Sequence, residues 1–62
     1  MAIMEIEDRQ VSKVRVGDLL HIKERIFAGV KDIDEGHGVR TLHVFGYSSR
    51  TLGAHQSVGV AA

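Results

Sequence analysis

Seven glycines, at positions 17, 29, 36, 38, 46, 53 and 59, punctuate this chain, and it contains no proline. The runs between them are short and rich in Val, Ile, Leu and Phe. Short apolar runs at regular spacing, separated by turn residues, are the pattern of an all-β sandwich or barrel. No window carries an i, i+3, i+4, i+7 stripe of the length a helix needs. The most specific stretch is Val14-Arg15-Val16-Gly17-Asp18-Leu19-Leu20-His21-Ile22, an apolar approach, a reversal at glycine and then a strand. Gly17 takes a positive φ without Cβ strain. Asp18 can hold such a turn with a side-chain hydrogen bond to a nearby backbone N–H.

Alternation then sets out the strands. A first strand is expected over 2–8, with Ala2, Met4 and Ile6 facing one side and Ile3, Glu5 and Glu7 the other. Residues 11–14 read as one helical turn, with Val14 and Val16 packed inward. Strands follow over 18–23 and 25–34. In the second of these Ile26, Ala28 and Val30 share one phase and Ile33 the other, so a bulge near Gly29 or Lys31-Asp32 is expected to bring Ile33 inward. Asp34-Glu35-Gly36-His37-Gly38 is the clearest hairpin turn, and 39–47 returns as the fourth strand. A short extended piece over 50–52, a single 3₁₀ turn over 53–57 and a closing strand over 58–60 complete the chain. The expectation is one domain over residues 1–62, with 1–10 as an N-terminal strand or arm that pairs either within the chain or with a neighbour.

A chain of 62 residues buries only about 60% of the surface its unfolded form exposes, which leaves a thin stability margin. Without cysteine there is no disulfide or thiolate metal site to add to it, so a partner surface becomes the natural supplement. The absence of cysteine also fits a reducing cytoplasm. The N-terminal residues lack the basic and apolar regions of a secretory signal, and no apolar run is long enough to cross a bilayer. A cytoplasmic location is therefore expected.

The order strand, turn, strand, long hairpin, 3₁₀ turn, short strand resembles the small SH3-like barrel over about residues 11–60. The implied fold is all-β, a five- to six-stranded barrel with a 3₁₀ turn before the last strand. Val14-Arg15-Val16-Gly17-Asp18 and the terminal Val58-Gly59-Val60 also resemble short uncharacterised actinobacterial and actinophage proteins. That resemblance implies a fold and a phage or actinobacterial source, and no activity. Val30-Lys31-Asp32-Ile33-Asp34 followed by Val44-Phe45-Gly46 is similar to the KOW modules of transcription and ribosomal proteins, although Phe27 stands where those modules carry a glycine.

Candidate chemistry is sparse. His21, His37, His43 and His55 are the only metal ligands available besides carboxylates, and none lies at i+2 or i+4 from another. Zinc needs three or four converging donors, so no metal site and no cofactor are expected. Ser12, Ser48, Ser49 or Ser57 would act as a nucleophile only beside an oriented base, and the chain has no Gly-x-Ser-x-Gly elbow. Gly36-His37-Gly38 lacks the Gly-Lys-Ser/Thr and the following helix of a phosphate loop. A barrel this small is filled by its own side chains. The sequence therefore points away from an enzyme and from a small-molecule substrate.

The fourth strand is the suggestive surface. If Leu42 and Val44 point inward, His43, Phe45 and Tyr47 line an outer stripe, and Phe27 on the third strand raises the same question. Either Phe45 is core and only Tyr47 shows, or the stripe is an interaction surface. The leading expectation is a non-catalytic protein-interaction or self-assembling domain using Phe27, His43, Phe45 and Tyr47. The alternative is a nucleic-acid module in which the aromatics stack on bases and Arg15, Lys23, Arg40 and Arg50 contact phosphates. The equal count of eight basic and eight acidic residues weighs against that alternative, since phosphate binding draws on a basic excess.

Overall fold

In a computed structural model, which describes residues 5–62, the chain forms six strands in one sheet with neighbours in the order β1-β6-β2-β3-β4-β5. The strands are β1 Ile6–Gln10, β2 Leu19–Lys23, β3 Ile26–Gly36, β4 Val39–Val44, β5 Arg50–Gly53 and β6 Ser57–Ala61, and every pairing is antiparallel. The long β3 is shared by two halves: β1, β6 and β2 lie on one side of it, β4 and β5 on the other. The all-β expectation holds. The sheet does not close on itself, because β5 and β1 are its two edges.

β1 lies later than the sequence pattern suggested, and the positions expected at Ala2, Ile3 and Met4 fall outside the described residues. It pairs within its own chain, Ile6 opposite Ala61 through Gln10 opposite Ser57. The single helical turn expected over 11–14 forms as a 3₁₀ turn at Val11–Lys13, directly after β1, whereas the 3₁₀ turn expected before the last strand does not form. There Gln56 N–H donates to Gly53 O at 3.0 Å and Gly53 N–H donates to the Gln56 side chain at 2.7 Å, which closes a tight β-turn instead. The two features dock on each other, since Val11 N–H donates to Gln56 O and Ser12 N–H to Ala54 O.

The reversal at Gly17 forms as its chemistry requires. Gly17 has φ +97°, and Asp18 Oδ2 accepts the Arg15 N–H at 2.9 Å. Gly17 N–H donates to Val30 O, and Val30 N–H to Asp18 O, so the turn is laced to β3. This geometry buries Val14 but leaves Val16 at the tip, 60% exposed and not inward. Along β3 the register shifts between Val30 and Asp32. That bulge sets Ile33 opposite Leu42 and against the core, as the alternation demanded. β3 runs on to Gly36, so the hairpin turn shrinks to His37-Gly38, with φ +49° and +78°, the paired positive angles of a tight two-residue turn. β4 ends at Val44, not at Tyr47, because the chain turns at Gly46 with φ +80°.

The core is small and wholly aliphatic. Val11, Val14, Leu20, Ala28, Val30, Leu42, Val44 and Val60 are buried, and no polar side chain among the described residues is. Among those residues no helix is long and apolar enough to cross a membrane.

Candidate functional site

Paired residues in an antiparallel ladder share a face, so the register sorts the outer surface. Leu20, Ala28, Val30, Leu42 and Val44 point inward. Leu19 opposite Gly29 and His21 opposite Phe27 therefore point outward on the β2–β3 half. Asp34 opposite Thr41, and Asp32 opposite His43, point outward on the β3–β4 half.

The first half carries a row of apolar side chains beside the exposed Asp8, which pairs with Gly59, and two glycines shape it. Gly59 on β6 has no side chain, and Ile6 from β1 folds over it. A Cβ there would lie 2.9 Å from Ile6 Cγ2 and 3.3 Å from His21 Cβ. The His21 ring sits beside Phe27 at 5.1 Å between centroids, tilted by 46°. Its Nε2 lies 2.6 Å from Glu24 O. A carbonyl oxygen only accepts, so Nε2 carries the proton. At Gly29 the gap is covered by Phe45, whose Cδ2 lies 3.5 Å from the position a Cβ would take. Phe45 N–H donates to Gly29 O, which fixes the approach, and Lys31 Nζ stands 5.6 Å from the ring centroid. Ile6, Leu19 and Phe45 remain 51%, 40% and 63% exposed, so the row is open to solvent along the sheet.

The second half is polar. Thr41 and Thr51 hydroxyls lie 2.9 Å apart. His43 Nδ1 lies 2.6 Å from Ser49 Oγ, and His43 Nε2 lies 2.7 Å from Asp34 Oδ2. The stripe expected at His43, Phe45 and Tyr47 thus divides. Phe45 joins Phe27 on the apolar half, His43 is absorbed into a hydrogen-bonded network, and Tyr47 projects from the loop after β4, 43% exposed.

The four candidate phosphate contacts do not gather. Arg15 lies in the turn before β2, Lys23 at the opposite end of β2, and Arg50 at the head of β5. Arg40 is committed inside. Its Nη1 donates to Val11 O, and its Nε stands 3.3 Å from Glu35 Oε1, close enough for an ion pair but misaligned for a hydrogen bond. Its side chain is only 11% exposed. An open cleft of about 370 Å³ at the hairpin tip, between Ser12, His37, Arg40 and Ala54, exposes the rim of this pair. Among the described residues no three His, Cys, Asp or Glu side chains stand together as metal ligands would.

Sequence reasoning missed the contacts of Ser49, His43 and Asp34, which come from three segments with no motif spacing. The available signal was the register of the β3–β4 hairpin, which follows once the turn is limited to two residues. Comparison with known protein families, curated proteins and solved structures finds no match.

Proposed function

We propose that this protein is a self-associating interaction domain whose apolar outer half, centred on Leu19, Phe27 and Phe45, packs against the same surface of a second copy. The observation that carries the reading is the row Ile6, Leu19, Phe27 and Phe45 lying on one face of one sheet, with the first, second and fourth substantially exposed. A contiguous apolar surface of this kind is unusual on a soluble monomer. A second copy suits it for two reasons. The chain has no net charge, so two copies do not repel one another. Among the described residues the buried core is eight small or medium aliphatic side chains, so further apolar burial adds materially to a thin margin. A two-fold axis would place each patch on its counterpart.

The connectivity supports an SH3-like reading of the fold. Leaving β1 aside, the order β6-β2-β3-β4-β5 is a four-strand meander with the last strand returned beside the first. Less supports the nucleic-acid alternative. Phe45 is engaged by Gly29 and Lys31, Arg40 by Val11 and Glu35, and the other cations lie apart.

Association that involves only the native state raises the melting temperature with protein concentration. Melting curves over a hundredfold concentration range test this. A self-associating chain gives a rising midpoint, and a constant midpoint would count against self-association.

A further inference from the structure

The polar half of the sheet carries a capability that self-association does not use. Ser49, His43 and Asp34 form an unbroken chain of hydrogen bonds, 2.6 Å from Ser49 Oγ to His43 Nδ1 and 2.7 Å from His43 Nε2 to Asp34 Oδ2. The chemistry of the three groups fixes its direction. An ionised carboxylate only accepts, so the proton of a neutral imidazole sits on Nε2. Nδ1 then offers a lone pair, and the Ser49 hydroxyl must donate to it. A hydroxyl aimed at a base, with that base oriented by a carboxylate on its far side, is the arrangement that activates serine nucleophiles. The two ring nitrogens are interchanged relative to the serine-protease arrangement. The proton path is the same.

We propose that Ser49 is an activated nucleophile that takes acyl groups from small, uncharged aryl esters, with His43 as its base and Asp34 as a positioning residue. Ser49 Oγ bonds to the carbonyl carbon as its proton passes to His43 Nδ1. The imidazolium so formed keeps its Nε2–H on Asp34. The bond to the aryl oxygen then breaks, and that oxygen leaves with the proton from Nδ1. Water repeats the sequence on the acyl-serine. It gives its proton to Nδ1 and bonds to the carbonyl carbon, and Ser49 departs and recovers the proton. The products are a phenol and a carboxylic acid.

The surroundings select this substrate class. Asp32 faces the same side as His43, two register positions from Asp34. Two acids beside His43 disfavour phosphate esters and other anions, and tolerate a neutral ester. Tyr47, two residues from Ser49 and exposed, offers an aromatic surface to the aryl group. Among the described residues no hydrogen bond engages the amides of Gly46, Tyr47 and Ser48, so the loop leading to Ser49 keeps free N–H donors. The site is open to water, which places its acceleration at the lower end of the ~10²–10⁴-fold range for a positioned base.

The test is incubation of the full chain with p-nitrophenyl acetate, following nitrophenol release and mapping the acetyl group by peptide mass spectrometry. The expected result is acetyl on Ser49, with release slowed at least about tenfold in Ser49→Ala and in His43→Gln. Thermal melting confirms that both variants fold. Acetyl confined to lysines or histidines, or release indifferent to Ser49→Ala, would overturn the proposal. Asp34→Asn supplies a readout that a merely structural role would not move. An amide can donate to Nε2 as well as accept from it, so ¹⁵N shifts of the His43 ring should report loss of the pure Nε2–H tautomer while acylation of Ser49 falls. An unchanged tautomer would remove Asp34 from the scheme.

Discussion

Phe45 lies across Gly29, its Cδ2 3.5 Å from where a β-carbon would be. The contact joins the turn after β4 to the outer face of β3 and makes one apolar surface from residues sixteen positions apart in sequence. It also sets this glycine apart from the other one on the same face. The space above Gly29 accommodates a methyl group at ordinary contact distance, and its φ is not in the left-handed region. Gly29→Ala should therefore stabilise the protein by about 0.4–1 kcal/mol, by restricting the unfolded chain. Urea denaturation with an unchanged slope would measure it.

Gly59 should behave oppositely. A methyl group there meets Ile6 Cγ2 at 2.9 Å and His21 Cβ at 3.3 Å. Gly59→Ala should cost about 1–3 kcal/mol, as overpacking does. Ile6→Ala removes the closer obstacle, so the double variant should recover part of the loss, and a double-mutant cycle should return a clear coupling. Strict additivity would contradict the packing described at β1 and β6.

Asp18 holds two partners, the Arg15 N–H at 2.9 Å and Arg9 Nη1 at 3.1 Å. It thereby shapes the turn at Gly17 and ties β1 to it. Asp18→Ala should lose about 1 kcal/mol, a value discounted because Arg9 and Asp18 side chains are 27% and 26% exposed. Arg9→Ala should lose less, and its effect should shrink in high salt while the Asp18 effect largely persists. Denaturant titrations at low and high ionic strength separate the two.

Leu42 is fully buried at the crossing of β3, β4 and β5, opposite Ile33 and Arg50. Leu42→Ala should cost about 2–5 kcal/mol. In so small an aliphatic core that loss should leave much of the chain unfolded at 25 °C, visible as lost dispersion in an NMR spectrum. A well-dispersed spectrum with an unaltered melting point would contradict the burial.

The parts of this fold legible in the sequence are those governed by local chemistry. Gly17-Asp18 specifies its turn through one φ angle and one side-chain acceptor, and the phase break between Val30 and Ile33 specifies a bulge. Where two local solutions compete, the pattern is silent. Residues 53–57 fit a 3₁₀ turn as well as the β-turn that the Gln56 side chain closes, and only docking against Val11 and Ser12 distinguishes them. Val16 reads as core by its phase, yet the reversal carries it to the tip. The site was legible by halves. Alternation offered Leu42 and Val44 inside with Phe45 outside as one of two readings, but giving 34–38 to the turn ended the β3–β4 ladder at Asp34 and hid its approach to His43. Arg40 looked free because nothing in sequence announces that a cation will donate to a carbonyl 29 residues away.

Sedimentation equilibrium of the full chain beside its Phe45→Ser variant tests self-association through the apolar half most directly. Pairing through this face gives a wild-type mass that rises toward the dimer with concentration, and a variant, equally folded by circular dichroism, that stays near the monomer. A wild-type chain that remains monomeric at every concentration, or a variant that associates as readily, would contradict it.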